Sequence, residues 1–215
     1  MLQSVAMIEV YASCIDSLKN QALYEKAYNM VSPERREKAN RFRFVSDKLL
    51  CIGAELLLMK ALHSEKALQF TYSENLKPYL SNRNEFFNLS HSGDYVMCAV
   101  SDSEVGCDIE KIEKVRMNVA KRFFSEKEYE FINKSDNPDL AFCRIWTIKE
   151  SYMKATGTGL CNDIASIEID FAANRVNGLY FKEFDSIPGY CCTVCSSLEK
   201  IKGTSLITAD PLNEV

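Results

Sequence analysis

The chain has 215 residues, 47% of them hydrophobic and 26% charged, with a formal net charge of −4 and a pI of about 5.4. That is enough apolar material for one large domain or two small ones and excludes general disorder, while the acidic balance argues against broad nucleic-acid binding. No run of 18 apolar residues offers a membrane span, and nine scattered cysteines without a secretory leader read as reduced thiols in a cytoplasmic protein.

In chain order, Val5 to Tyr11 reads as a first strand, and Asp16 begins a helical pattern through Leu23, Ala27 and Met30. Ser32-Pro33-Glu34 carries the marks of a helix start: a capping hydroxyl, proline at the first helical position and an acid in the first turn. Arg35, Arg36, Lys38, Arg41 and Arg43 follow and make a local positive field on an acidic chain. Asp47 to His63 reads as a buried helix whose Gly53 points to close packing against a neighbour. Leu68 to Tyr72 and Phe86 to Leu89 read as strands, with a polar loop containing Lys77-Pro78 between them.

Asn88-Leu-Ser90-His91-Ser92-Gly93 is a strand entering a turn, with a hairpin partner at Tyr95 to Val100. Adjacent serine and histidine point to opposite faces of a strand, so a phosphate-contacting turn is favoured over a Ser-His hydrolase. In the strand Val105 to Lys111, Asp108 and Glu110 share one face while Ile109 points into the core. Two such carboxylates repel unless a cation lies between them.

Val119 to Phe124 reads as a short helix, with Phe123 and Phe124 turned to the core, and Ser125-Glu-Lys-Glu128 as a capping box. Asn137-Pro138-Asp139 starts a long helix, buried along Ala141, Ile145, Ile148 and Tyr152 and stopped at Gly157-Thr-Gly159. Trp146, Glu150 and Lys154 share one stripe of it. Three carboxylates and a lysine suit Mg²⁺ on a phosphate-bearing substrate. Strands follow at Ile167 to Phe171, Leu179 to Phe184, Tyr190 to Cys195 and Leu206 to Thr208. Cys192-x-x-Cys195 lacks a second ligand pair, which makes these buried structural thiols.

An internal echo relates Arg41-Phe-Arg-Phe44 and a helix with Glu55 to Lys121-Arg-Phe-Phe124 and the helix with Glu150. It implies an α+β fold of two similar α/β halves meeting near residue 102, with a ligand cleft between them.

Gly106-Cys-Asp108-Ile-Glu110, Arg122-Phe-Phe-Ser125-x-x-Glu128 and Trp146-x-x-Lys149-Glu150-Ser-Tyr-x-Lys154-x-x-Gly157-x-Gly159-Leu160 resemble the signature of the 4′-phosphopantetheinyl transferases. The likeness is to the larger single-chain form that activates nonribosomal peptide and polyketide synthases. Ser32-Pro-Glu-Arg-Arg-Glu-Lys38, Arg41-Phe42 and Asn88-Leu-Ser-His-Ser92 match it in the same order; Lys48, Leu49 and Leu50 depart from it, where relatives often carry an arginine.

The resemblance implies Mg²⁺-dependent transfer of the phosphopantetheine arm from coenzyme A to a serine of an acyl or peptidyl carrier protein, releasing adenosine 3′,5′-bisphosphate. It implies metal ligands Asp108, Glu110 and Glu150, with Glu150 also taking the serine proton and Lys154 neutralising the phosphate. Arg35, Lys38 and His91 would bind the 3′-phosphate and its neighbours, and Lys77 and Ser90 would line the nucleotide site. Residues 1–102 then form the half with the coenzyme A-binding bases, and residues 103–215 the half with the metal site and catalytic helix. A pseudo-twofold axis between the halves and a monomer, acting without nucleic acid or membrane, complete the implication. The acids alone also allow a Mg²⁺-dependent phosphohydrolase, and the cleft alone a coenzyme A-binding module. Carrier docking is expected between Ile112 and Phe124, through Lys114, Arg116, Lys121 and Arg122.

Overall fold

The computed structural model describes residues 8–115, 117–159 and 163–208. Arg116, Leu160 and the first residues of the strand expected from Val5 lie outside them.

The N-terminal part runs β1 (Ile8–Cys14), a 3-10 turn at Asp16–Lys19, α1 (Gln21–Met30), α2 (Pro33–Arg41), α3 (Val45–Ala61), β2 (Phe70–Tyr72), β3 (Pro78–Leu80), β4 (Phe86–Ser92) and β5 (Tyr95–Ser101). The C-terminal part runs β6 (Val105–Lys111), α4 (Met117–Phe123), α5 (Glu126–Lys134), α6 (Pro138–Thr156), β7 (Ile169–Asp170), β8 (Arg175–Val176), β9 (Leu179–Phe184), β10 (Tyr190–Ser196) and β11 (Leu206–Thr208).

The two parts repeat one topology. β1 pairs antiparallel with β5, which pairs antiparallel with β4; β6 pairs antiparallel with β10, which pairs antiparallel with β9. In each, helices fill the crossover between the first strand and the closing hairpin, so the echo in the sequence is a repeat in the fold. The turn joining the halves lies between Ser101 and Val105. β11 crosses back and pairs in parallel with β1, so the end of the described chain belongs to the N-terminal sheet.

The sheets share a core. Val10, Ala12, Met97 and Ala99 of one pack with Val105, Cys107, Ile109, Cys192 and Val194 of the other. Burial of such side chains stabilises by about 25 cal/mol per Å² of apolar surface. It also fixes β6 against the N-terminal half. The three cysteines of β10 are all buried, as expected of structural thiols.

Local signals explain most elements. Ser32 caps α2 by accepting from the Arg35 amide, Ser125 and Glu128 form a reciprocal capping box on α5, Asn137 caps α6, and Gly157 closes α6 at φ 68°. Gly53 lets α3 settle on Ile15 and Leu18, where a Cβ would stand 3.0 Å and 3.3 Å from their side chains. The helix expected from Asp16 to Met30 is instead broken, because the Asn20 side chain accepts from the Ala22 and Leu23 amides and starts a new helix. Arg43 lies beyond the end of α2. β3 and β8, three and two residues long, fall in stretches that read as loop.

Candidate active site

The site is built on the seam between β4 and β6. These strands belong to different sheets, and serine and asparagine side chains bridge them where a backbone ladder would otherwise run. Asn88 accepts from the Cys107 amide through its Oδ1 (3.0 Å), Ser90 Oγ donates to Asp108 Oδ1 (2.7 Å), and Ser92 Oγ donates to Glu110 Oε2 (2.7 Å). Alternation puts residues 88, 90 and 92 on one face of β4, opposite the face of β6 that carries both acids.

α6 lies directly over this seam because β6 has no side chain at Gly106. A Cβ there would fall 2.0 Å from the Ser151 carbonyl oxygen and 2.3 Å from the Ala155 nitrogen. The close approach brings the stripe of Glu150 and Lys154 over Asp108. Lys154 Nζ donates to Asp108 Oδ1 (2.6 Å) and to Ser90 Oγ (3.0 Å), so one ammonium ties together α6, β6 and β4. Burial alone would lower its pKa, but the Asp108 carboxylate outweighs that and holds it above the ordinary lysine value.

The acids around it are under electrostatic stress. Burial, then the Asp108 charge, pushes Glu110 up to about 7, against the opposing pulls of the Ser92 bond and Lys154. Burial also raises Glu150, with Lys154 lowering and Asp108 raising it. Asp108 is 2% exposed, and its Oδ2 is buried without a hydrogen-bond partner. Among the described residues no three His, Cys, Asp or Glu side chains stand close enough to form a metal cage by themselves. The donor chemistry nonetheless fits a hard divalent cation: an unpartnered buried carboxylate oxygen sits beside two acids whose ionisation is opposed by burial and by the Asp108 charge. Such an ion takes few protein ligands and completes its shell with water and substrate oxygens.

The basic residues divide into two groups. Lys154, Lys38 and Arg35 all lower the pKa of His91, after the larger effect of lost hydration, which places the four around a common region. These effects bias the imidazole towards its neutral form. Arg35 is partly committed already, its Nε donating to the fully buried Glu55 (3.0 Å). Lys77 does not bring its charge to this cluster. Its ammonium is paired with Glu104 and donates to the Ala155 carbonyl at the C-terminal end of α6 (2.9 Å). Only its stem remains to face a ligand.

Two hollows meet here. One of about 560 Å³ is lined by Arg35, Lys38, Arg41, Tyr72, Leu76 and Pro78; the other, of about 240 Å³, by Lys77, Pro78, Asn88, Glu150, Lys154 and Gly157. Leu76 and Pro78 wall both, so the bases of α2 and the acids of the seam open onto adjoining space. A third hollow of about 220 Å³ lies on the far side of Glu110, against Lys114, Val119, Phe142 and Trp146.

Sequence reasoning missed the bridging roles of Asn88 and Ser92 and the anchoring of Lys77 by Glu104. The polar alternation 88, 90, 92 within an otherwise apolar strand was the available signal. Glu55, deep in an apolar helix, was a second one.

Comparisons with known proteins agree along nearly the whole chain. Residues 104–195 match the model of the 4′-phosphopantetheinyl transferase superfamily, and residues 19–103 match that of the 4′-phosphopantetheinyl transferase N-terminal region. The 4′-phosphopantetheinyl transferase gsp of Aneurinibacillus migulanus is 30% identical over 215 residues, covering 93% of this chain and 90% of the relative. The 4′-phosphopantetheinyl transferase psf-1 of Bacillus pumilus is 35% identical, covering 71% of this chain and 69% of the relative. The 4′-phosphopantetheinyl transferase Sfp of Bacillus subtilis is 28% identical, with 88% and 92% covered.

Proposed function

This chain belongs to the 4′-phosphopantetheinyl transferase superfamily, and from that premise we propose that it transfers the phosphopantetheine arm of coenzyme A to a serine hydroxyl of an acyl or peptidyl carrier protein, releasing adenosine 3′,5′-bisphosphate. The observation that carries the reading is the Lys154 ammonium, held 2.6 Å from Asp108 Oδ1 across the seam, with Glu110 and Glu150 beside it and Asp108 Oδ2 unpartnered. A diphosphate in that seam meets cationic charge from one residue and cation-binding oxygens from three.

The roles follow from position. Lys38, His91 and the remaining donors of Arg35 receive the 3′-phosphate, whose negative charge favours the protonated form of His91. The hollow beside Tyr72, Leu76 and Pro78 takes the nucleoside, with the stem of Lys77 walling the adjoining hollow and Ser90 the neighbouring seam. Asp108, Glu110 and Glu150 would hold Mg²⁺. That ion would supply charge neutralisation on the diphosphate oxygens. Lys154 neutralises the phosphoryl group under attack, while Glu150 accepts the proton of the incoming serine. Burial, which raises the Glu150 pKa, favours proton uptake by that carboxylate. The new oxygen–phosphorus bond forms as the bond to adenosine 3′,5′-bisphosphate breaks. Alignment and charge supply most of such catalysis, which explains a site without a nucleophile of its own.

The reading makes the chain a cytoplasmic monomer, working without nucleic acid or membrane. Eight described cysteines are free thiols, and no helix among the described residues is long and apolar enough to cross a membrane. The hollow against Lys114, Val119 and Trp146 opens beside Glu110, which supports carrier approach from the 112–124 side.

The test is mass spectrometry of an apo carrier protein incubated with this protein, coenzyme A and Mg²⁺. The carrier should gain one phosphopantetheine arm. Release of phosphate into water, with several carriers unchanged, would instead identify a phosphohydrolase; heat stabilisation by coenzyme A without product would identify a binding module.

A further inference from the structure

The hydroxyl of Ser92 stands at a junction that leaves its hydrogen one destination. Its oxygen accepts from the Lys111 amide (3.1 Å), the residue next to Glu110 in β6, and its O–H points to Glu110 Oε2 (2.7 Å). Ser90, two residues earlier on the same face, repeats the pattern: it accepts from Lys154 and donates to Asp108 Oδ1. Each acid of β6 therefore has one oxygen held by a serine of β4, which leaves its second oxygen outside that bond. In Asp108 that second oxygen is the buried, unpartnered Oδ2.

Ser92 is itself held in place. It pairs with Tyr95 across the hairpin turn Gly93-Asp94, and Gly93 has φ 56°, a conformation that favours glycine. A Cβ at Gly93 would also drive into Tyr190 Oη on β10, at 2.4 Å. That phenol in turn accepts from the Asp94 amide (3.1 Å). The tip of the N-terminal hairpin is thus docked onto the C-terminal sheet, and the docking aims the serine.

We propose that Ser92 is a positioning residue of the divalent-cation site, its hydroxyl on the N-terminal half locking the carboxylate plane of Glu110 on the C-terminal half so that Oε1 faces the ion. The inference rests on the reading of Asp108, Glu110 and Glu150 as cation ligands. It gives the hairpin 86–101 a function beyond packing: the halves must be docked for the ligand set to be in register. Groups that orient a ligating carboxylate commonly contribute 10-fold or more to metal affinity.

Mn²⁺ binding, followed by loss of the free-ion electron paramagnetic resonance signal with the full chain and coenzyme A present, tests it directly. Ser92→Ala should raise the Mn²⁺ dissociation constant about 10-fold, and Ser92→Thr, which keeps the hydroxyl, should restore it to within about 2-fold of wild type. Coenzyme A affinity measured calorimetrically without metal should stay unchanged in both variants, an outcome that a general loosening of the fold would not give. If Ser92→Ala does not fold, Ser92→Cys keeps the volume, weakens the donor and should show the same loss. Wild-type Mn²⁺ binding with Ser92→Ala unchanged would overturn the inference alone. A wild-type protein that bound no Mn²⁺ would overturn the cation reading, and this inference with it.

Discussion

Each half of the molecule lays one long helix over its sheet, and each of those helices carries a glutamate in its interior. On α3, Glu55 accepts from the Ser32 amide (2.7 Å), Ser32 Oγ (3.0 Å) and Arg35 Nε (3.0 Å), and is wholly buried. On α6, Glu150 accepts no hydrogen bond from the described residues, lines a hollow, and has its pKa raised by burial and by Asp108. The same scaffold has therefore produced a satisfied carboxylate that clamps α2 to α3 and an unsatisfied one that keeps its capacity for chemistry. Burial alone does not distinguish a structural acid from a catalytic one; the filling of its acceptor positions does.

The largest effect expected from that contrast is on turnover. Glu150→Gln removes the charge and the base together, and should lower the rate of carrier modification by about 10² to 10⁴-fold while leaving the thermal midpoint nearly unchanged. Glu55→Gln should do the reverse. Removing one partner of a buried, hydrogen-bonded pair costs on the order of 3 to 5 kcal/mol, read as a lowered denaturation midpoint, with coenzyme A binding weakened only through the loosening of α2. Equal losses of stability in the two variants would break the comparison, as would full activity in Glu150→Gln.

A third test uses pH. Glu110 titrates at about 7 in the folded chain against an ordinary 4.5, so between those values the native state holds a proton that the unfolded state has released. Stability contributed by this group is present below about pH 4.5 and falls as pH rises through 7. Without divalent cations, chemical denaturation should show wild type losing stability between pH 5 and pH 7.5 relative to Glu110→Gln. Adding Mg²⁺ at pH 7.5 should recover it. A wild-type curve parallel to that of Glu110→Gln would remove the electrostatic stress inferred at the seam.

The contrast also marks what was legible in the sequence. α6 could be read end to end, because Asn137, Pro138 and Gly157 act on their own neighbours, and Asp108 and Glu110 could be placed on one face from alternation alone. So could the capping box of α5, and the repeat of the two halves. The clamp on Glu55 could not, since its partners lie 20 and 23 residues away and meet it only when α2 folds back on α3. Lys77 reaches a carbonyl 78 positions on, and β11 pairs with the opposite end of the described chain. Local chemistry specifies the pieces, and contacts that exist only after assembly decide which charges remain available to a ligand.

That last point separates the two basic clusters. Lys38 is exposed on α2 and lines the larger hollow with Arg35, whereas Lys121 and Arg122 are exposed on α4, on the opposite half and beyond Glu110. If the first cluster serves coenzyme A and the second the carrier, charge reversal should divide the Michaelis constants. Lys121→Glu with Arg122→Glu should raise that for the carrier about 5 to 10-fold and leave that for coenzyme A alone, because peripheral charges act mainly on encounter with an acidic partner. The effect should shrink as salt is raised, since such charges are screened beyond about 10 Å at 0.1 M ionic strength. Lys38→Glu should show the opposite division. A carrier constant that moved equally in both variants would mean that the two clusters act as one field rather than as two sites.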